Sequence, residues 1–332
     1  MVTEWPSAIA AGWHPVAFSN AVRSDRTLPV VLMGQPLIVM RDDEGVFALA
    51  DRCPHRGVPL SRGRAADGVV ACAYHGWRFG RDGACLEVPG SNSGGTRARA
   101  YQCVERVGLV WVALASVPAE FPRLPQTMCD ATLDRFWWPL KSSRADVLDA
   151  LENHLDPAHP HHVHPWMVRS DARRKDVSVR VRSGPWGAEA IYREEGGAAG
   201  LIPTIMEGHR TTSIGRLYPP TTGEVSFEGP EGLRLSVSVI FQPVADGVTR
   251  PWAHFATPRG LVPAGLKALA LKLIHLPILR QDRRILAIQR DARRDDEAAY
   301  AEGPLDLLGP TIWRLANSKI EPERTYETIL RL

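Results

Sequence analysis

Cys53-Pro54-His55-Arg56-Gly57 is followed further along the chain by Cys72-Ala73-Tyr74-His75-Gly76-Trp77. Each segment pairs one Cys with one His, and sixteen residues separate His55 from Cys72. Two thiolates and two imidazoles in matched pairs point to a metal centre of restricted chemistry. Structural zinc takes the same four donors, but its sites usually group Cys with Cys and His with His across short gaps. Here each pair mixes the two. That favours a two-iron centre with both thiolates on one iron and both imidazoles on the other, a one-electron carrier. Glycine soon after each His lets backbone approach a bulky inorganic core, and Pro54 restricts its loop while removing a donor.

Around these segments the sequence has hairpin grammar. From Pro29 to Asp51 it reads as strand, Gly34-Gln35 turn, strand, turn at Asp42 to Gly45, and strand. Val69-Val70-Ala71 leads into the second Cys-His pair, Arg81-Asp82-Gly83 turns the chain, and Gly108 to Val112 is the most apolar strand of the closing stretch from Tyr101 to Leu114. The expectation is a small all-β domain holding its metal on two loop tips. Pro118, Pro122 and Pro125 place a boundary near residue 125, giving domains 1–125 and 126–332. Beyond it, Asp146 to His159 reads as helix, Val177 to Arg193 and Thr211 to Ala256 as a second antiparallel sheet, and Pro263 to Arg294 as the longest helix. The fold class is α+β, an antiparallel sheet with long helices packed on it.

At 332 residues, 44% hydrophobic and 23% charged, the chain has ordinary globular composition. A net charge of +3 with scattered Arg and only five Lys leaves no nucleic-acid footprint. Five Cys, two of them assigned and Cys85, Cys103 and Cys129 far apart, argue against a disulfide framework. Met1 to Ala11 lacks a basic region followed by an apolar core, so a reducing cytoplasm is expected. Leu261 to Leu279 is interrupted by Lys267, Lys272 and Pro277 and is too polar to span a membrane, which leaves an amphipathic helix or, less simply, peripheral membrane contact.

A second cluster follows the boundary. Residues 152–164, Glu152-Asn153-His154-Leu155-Asp156-Pro157-Ala158-His159-Pro160-His161-His162-Val163-His164, hold five of the chain's 11 His. Residue type alone admits iron, copper, nickel or zinc, and a surface nickel or zinc clamp stays open.

Taken with the Cys-His pairs, this segment resembles the alpha subunit of Rieske-type non-heme iron ring-hydroxylating oxygenases, in the branch that resembles single-component monooxygenases. That family's pattern is Asn, then Asp, two residues, His, four residues, His, and Asn153, Asp156, His159 and His164 match its register. His154, His161 and His162 do not, and are expected to be solvated or to line a pocket. The resemblance implies that His159 and His164 ligate a mononuclear Fe(II). It implies that Asp156 links His159 to His75 of a neighbouring subunit, and hence a homotrimer. For Asp156 the plainer alternative is a turn or cap residue ahead of Pro157.

The third iron ligand implied by the family lies on a later helix, here Gln281-Asp282-Arg283-Arg284-Ile285-Leu286-Ala287-Ile288-Gln289, which assigns Asp282. Asp282, Ile285, Leu286 and Gln289 share one helical face, and a buried carboxylate needs a metal or a cation. A salt bridge to Arg280, Arg283 or Arg284 is the alternative. Family members often have Glu before the Asp and again before the Gln, where this chain has Gln281 and Ala287. Asp291, Asp295 and Asp296 belong to a charge run expected to be solvated.

The resemblance covers nearly the whole chain and implies a monooxygenase that hydroxylates a C–H bond of a bulky cyclic small molecule. Cys53, His55, Cys72 and His75 then hold a 2Fe-2S Rieske cluster, and O2 is the co-substrate. NAD(P)H electrons arrive through a flavin reductase, a ferredoxin or both, because the chain has no Gly-rich nucleotide fingerprint of its own. Arg52, Arg56, Arg62, Arg64, Arg78 and Arg81 are candidates for steering an acidic electron donor, against simple solvation. The alternatives are an oxidative O- or N-demethylase with the same centres, and an electron carrier without oxygenase chemistry. Pocket walls are expected from Leu201 to Leu217 and Ser236 to Phe255, with Trp166 and Trp252 as candidate lining residues.

Overall fold

The computed structural model describes residues 4–92, 94–165, 167, 174–193, 211–295 and 300–332. Contacts divide the chain into two units, one built mainly from Ile9–Phe121 with Gln242–Asp246, the other from Pro122–Phe241 with Gly247–Leu332. A short helix α1 (Ser7–Ala11) precedes the strands.

In the first unit the chain makes β1 (His14–Phe18), β2 (Leu28–Leu32), β3 (Gln35–Asp42) and β4 (Gly45–Ala50), then four short strands, β5 (Arg64–Ala66), β6 (Val69–Ala71), β7 (Arg78–Phe79) and β8 (Cys85–Glu87), then β9 (Ala100–Arg106) and β10 (Leu109–Ala113). Antiparallel pairing gives one sheet in the order β1-β10-β9-β4-β3-β2 and a smaller one in the order β5-β6-β7-β8. β10 is buried along its whole length, so its unbroken apolar run reads as a central strand. The β2–β3 turn is Met33-Gly34, one residue earlier than expected. Both residues have positive φ (49° and 76°), the two-residue turn whose twist suits a hairpin.

The core of this unit unites both sheets. Ile38, Met40, Phe47 and Leu49 from the larger one meet Leu60, Val70 and Phe79, and the cluster also contains Cys53 and Cys72. Arg81 reaches across to Asp42, with Nε 2.8 Å from Oδ2, and holds that carboxyl below the usual range.

The second unit carries β11 (Leu133–Pro139), β12 (Ser143–Arg144), helices α2 (Val147–Leu155) and α3 (Pro160–Val163), β13 (Asp176–Gly184), β14 (Gly187–Arg193), β15 (Thr212–Tyr218), β16 (Thr222–Gly229), β17 (Gly232–Ala245, whose last four residues count with the first unit), β18 (Val248–Pro258), helices α4 (Ala264–Asp295) and α5 (Gly309–Ala316), and β19 (Arg324–Arg331). Among the described residues these strands form one antiparallel sheet in the order β11-β18-β17-β16-β15-β14-β13-β19, with β12 paired to β18. β11 and β19, at its two edges, extend it beyond the run expected from sequence.

α2 buries Val147, Leu148, Ala150, Leu151 and Leu155. It lies on β15 and β16, where small residues make room: a Cβ at Gly223 would come within 2.9 Å of His154 Cδ2 and 3.1 Å of Leu151 Cδ1. The helix stops at Leu155, not at His159 as expected. Asp156 is extended (φ −74°, ψ 123°), as the residue before a proline prefers.

α4 runs for 32 residues and matches the expected long helix. Its buried face at Asp282 is narrower than the periodicity implied, since Leu286 is buried but Ile285 is exposed. No helix among the described residues is long and apolar enough to cross a membrane.

Candidate metal centres

The two Cys-His loops have the same backbone design. Cys53 N–H donates to the Val58 carbonyl (2.8 Å), and Gly57 N–H donates to the Cys53 carbonyl (2.9 Å). In the second loop Cys72 N–H donates to the Trp77 carbonyl (2.9 Å), and Gly76 N–H to the Cys72 carbonyl (3.0 Å). Gly57 and Gly76 both sit in the left-handed region, with φ of 75° and 71°, so each loop closes on a conformation that favours glycine. The reason for these glycines is thus the turn itself, not only room for an inorganic core.

The cysteines lie at the buried base of the loops and the histidines nearer the surface. Cys53 and Cys72 are 2% and 4% exposed. The His55 ring stacks on Trp77 (4.6 Å between centroids, 6° between planes) and stands 4.6 Å from the His75 ring. Tyr74, largely exposed, packs against His75 with 3.7 Å between ring centroids. Burial pushes the Cys53 thiol up, and the neighbouring Cys72 thiol pushes it further. Desolvation, with His75 and Arg56 nearby, holds the His55 imidazole below its ordinary value, which keeps it in the neutral form that ligates metal. Its Nδ1 is buried without a hydrogen-bond partner among the described residues. Two crowded sulfurs, two adjacent imidazoles and an orphaned ring nitrogen fit a cluster carried by thiolates on one side and imidazoles on the other.

In the second unit, His159, His164 and Asp282 come together, their ligand atoms all within 4.8 Å of one another. His159 leads into the short helix α3, His164 ends it, and Asp282 projects from the middle of α4. His164 Nε2 stands 2.9 Å from Asp282 Oδ1, and His159 Nε2 stands 3.6 Å from the same oxygen. The closer pair is not aligned as a hydrogen bond. His164 Nε2 and Asp282 Oδ1 are both buried with no hydrogen-bond partner among the described residues. Unsatisfied buried polar atoms converging on one point are costly unless something binds there. Two imidazoles and one carboxylate are the donor set of a mononuclear iron with open positions.

The outer ring nitrogens are satisfied. His159 Nδ1 is 3.0 Å from the Asp156 carbonyl, and His164 Nδ1 is 2.8 Å from Gln281 Oε1. Burial pulls the His164 imidazole down, but Asp282 and Gln281 outweigh it and hold it above its usual value. Gln281 escaped the sequence reading, where it registered only as a departure from the expected Glu.

Asp156 shows the turn-capping contacts anticipated as its plainer role. Its Oδ1 accepts from the Ala158 amide (2.7 Å) and its Oδ2 from the His159 amide (3.1 Å), the turn-capping geometry. Its Oδ2 also lies 3.6 Å from His159 Nδ1, too far for a hydrogen bond, so within one chain His159 is held by the Asp156 main chain. Burial pushes the Asp156 carboxyl up, yet hydrogen bonding at His159 and Ala158 wins and holds it low. A cavity of about 190 Å³ opens here, lined by Asn153 and Asp156 together with Asp149, Glu152 and Asp306. Burial pushes Asp149 up to about 6, opposed by Arg293, and raises Glu152, which accepts from Trp313 Nε1–H at 3.0 Å.

The remaining candidates sort by burial. His154 is partly buried, and desolvation drags its imidazole down to about 4, while His161 is 4% exposed and not solvated. His162 is exposed beside Arg174 Nη2 at 3.1 Å. Arg283, one alternative partner for Asp282, instead donates to the Ser142 carbonyl at 2.8 Å, and Asp291 pairs with Arg144. Of the six Arg near the Cys-His loops, Arg81 is committed to Asp42 and Arg78 to Glu87, while Arg56 is exposed. Trp252 is buried on β18. Trp166 and residues 201–210 lie outside the described residues. All five cysteines are free of disulfides.

Known proteins resemble the chain in sequence and in fold. The sequence profile of the Rieske [2Fe-2S] domain matches residues 12–109. The chain is 31% identical over 196 residues to the oxygenase subunit of 5,5'-dehydrodivanillate O-demethylase from Sphingobium sp. (strain NBRC 103272 / SYK-6), covering 54% of this chain and 42% of that protein. It is 32% identical over 186 residues to the iron-sulfur subunit of the toluene-4-sulfonate monooxygenase system from Comamonas testosteroni, 52% of each chain. The matches thus span about half the length of these relatives. The crystal structure of dicamba monooxygenase bound to dicamba shares the fold, with a TM-score of 0.77 at 18% identity over 93% of this chain and 98% of that one. The Rieske domain and the two oxygenase-subunit relatives make the chain a Rieske non-heme iron oxygenase.

Proposed function

We propose that the chain is the oxygenase component of a monooxygenase that uses O2 and electrons from an NAD(P)H-dependent reductase to hydroxylate a C–H bond of a bulky cyclic small molecule. The observation that carries this reading is the convergence of His159, His164 and Asp282, with His164 Nε2 and Asp282 Oδ1 buried and unsatisfied. An electron carrier would need only the first unit.

Cys53 and Cys72 would hold one iron of the cluster, His55 and His75 the other, and His159, His164 and Asp282 the mononuclear iron. When bound, the cluster supplies single electrons and the mononuclear iron supplies oxygen activation. The chain's own residues orient and insulate. The Asp156 carbonyl fixes the His159 ring by its Nδ1, and the amides of Ala158 and His159 fix the Asp156 carboxylate. That carboxylate lines a surface cavity, and the family resemblance implies that His75 of a second copy meets it there, in a homotrimer whose sites are completed between copies. A flavin reductase or ferredoxin would dock at the Tyr74 and Arg56 face of the loops.

A second reading, oxidative O- or N-demethylation at the same site, is favoured by one relative, whose name is that of an O-demethylase oxygenase subunit. Iron and acid-labile sulfide analysis tests the centres: three irons per two sulfides support the oxygenase, and two per two support a carrier. Turnover of a panel of methoxylated aromatics, steroids and polycyclic alkaloids under heavy oxygen separates the chemistries. Heavy oxygen retained in an intact product is hydroxylation, and loss of methyl as formaldehyde is demethylation.

A further inference from the structure

His164 and His159 have unlike outer partners. Both present Nε2 towards Asp282 Oδ1, but His159 Nδ1 faces a main-chain carbonyl, whereas His164 Nδ1 faces a side chain, Gln281 Oε1, at 2.8 Å. A neutral imidazole carries one N–H, and an amide oxygen only accepts. The contact therefore places the proton on His164 Nδ1 and leaves the Nε2 lone pair for a metal. His164 is 1% exposed, so water is poorly placed to take over if the amide is removed. Gln281 and Asp282 are consecutive on α4, so one turn of one helix supplies both a ligand and the partner that orients another ligand.

Charge distinguishes this chain further. A Glu at 281, as the resembling family often has, would accept the same proton and add an anion behind the imidazole. Gln281 accepts without the charge. A more basic imidazole favours the higher oxidation state of a metal, so the neutral partner favours the reduced one.

Resting on the iron reading above, we propose that Gln281 is the positioning residue of His164, fixing its tautomer and ring orientation while leaving the metal centre one negative charge short of a Glu-backed site.

The test uses the full chain with its cluster oxidised and the mononuclear site emptied, titrated with Co(II) chloride and followed by low-temperature electron paramagnetic resonance. Q281L should bind Co(II) about 10–100-fold more weakly than wild type, with an altered signal and an unchanged visible spectrum of the cluster. Q281E should keep affinity close to wild type and lower the Fe(III)/Fe(II) midpoint potential of the iron-loaded protein. If wild type itself binds no Co(II), the iron reading fails. If wild type binds and Q281L matches it in affinity and signal, Gln281 has no positioning role and the iron reading stands. Should Q281L not fold, an unshifted potential in Q281E overturns the proposal alone.

Discussion

Asp156→Asn separates the structural and functional duties of one carboxylate. Asp156 accepts from the amides of Ala158 (2.7 Å) and His159 (3.1 Å), one per oxygen. Asn has one accepting oxygen, so it keeps one of these bonds and turns an NH2 towards the other donor. A hydrogen bond to a charged group contributes about 1.5–3 kcal/mol. The side chain is 30% exposed, so water replaces part of the loss and the lower half of that range applies. At about 2–4 °C per kcal/mol for a domain of this size, Asp156→Asn should melt about 3–9 °C below wild type. Because the folded carboxyl titrates below its unfolded value, its stabilisation is present above the unfolded pKa and lost as pH falls through the folded one. The gap between the two proteins should therefore be flat from about pH 6 to 8 and close only below about pH 4.

The functional expectation is independent of that loss. His159 is held by the Asp156 carbonyl, which the substitution leaves in place, so iron content should stay at wild-type level. Turnover should fall by at least about 10–100-fold if the carboxylate links His159 to a second copy. Differential scanning calorimetry, iron analysis and product formation on one preparation read all three. Full activity would refute the linking role, and an unchanged melting temperature would refute the capping role.

Asp282→Ala should remove one iron per chain, from three to two, while sulfide content and the cluster's visible spectrum stay constant; retention of the third iron would move the site elsewhere. Asp149, pushed up to about 6 by burial, should destabilise the fold as pH rises from about 4 through 6, by on the order of 3 kcal/mol at pH 8. Asp149→Asn should remove that slope in urea unfolding at pH 5 and pH 8, and equal slopes in both proteins would show that the carboxyl is not so perturbed. Arg56→Glu should slow reduction of the protein by an acidic ferredoxin and flatten its dependence on salt, whereas Arg78→Glu should do less because Arg78 is already paired with Glu87. Rates unaffected by either change would remove Arg56 from the docking face.

The Cys-His pairs were legible because a metal site on two tight loops is written in local spacing, and local hydrogen bonds such as Gly57 to Cys53 build those loops. The antiparallel sheets were legible wherever one face is buried, as in β13, whose burial alternates strictly to Arg182. β19 shows no such alternation, being exposed through most of its length at a sheet edge, and β11 is half-buried at nearly every position. The end of α2 was misplaced by four residues because apolar periodicity outran the effect of Pro157 on Asp156. The meeting of Asp282 with His159 and His164 came from resemblance, since Gln281 and the His164 it touches are 117 positions apart in the chain. No periodicity encodes that contact.

The burial of Cys53 and Cys72 in the same apolar cluster as Phe47, Leu60 and Phe79 bears on biogenesis. Thiols 2% and 4% exposed are out of reach of a donor protein once the core has closed. Cofactor delivery must then come before closure or reopen the domain, so a cell short of iron-sulfur supply should accumulate an incompletely folded first unit and degrade it, instead of storing a tidy apoprotein for later repair.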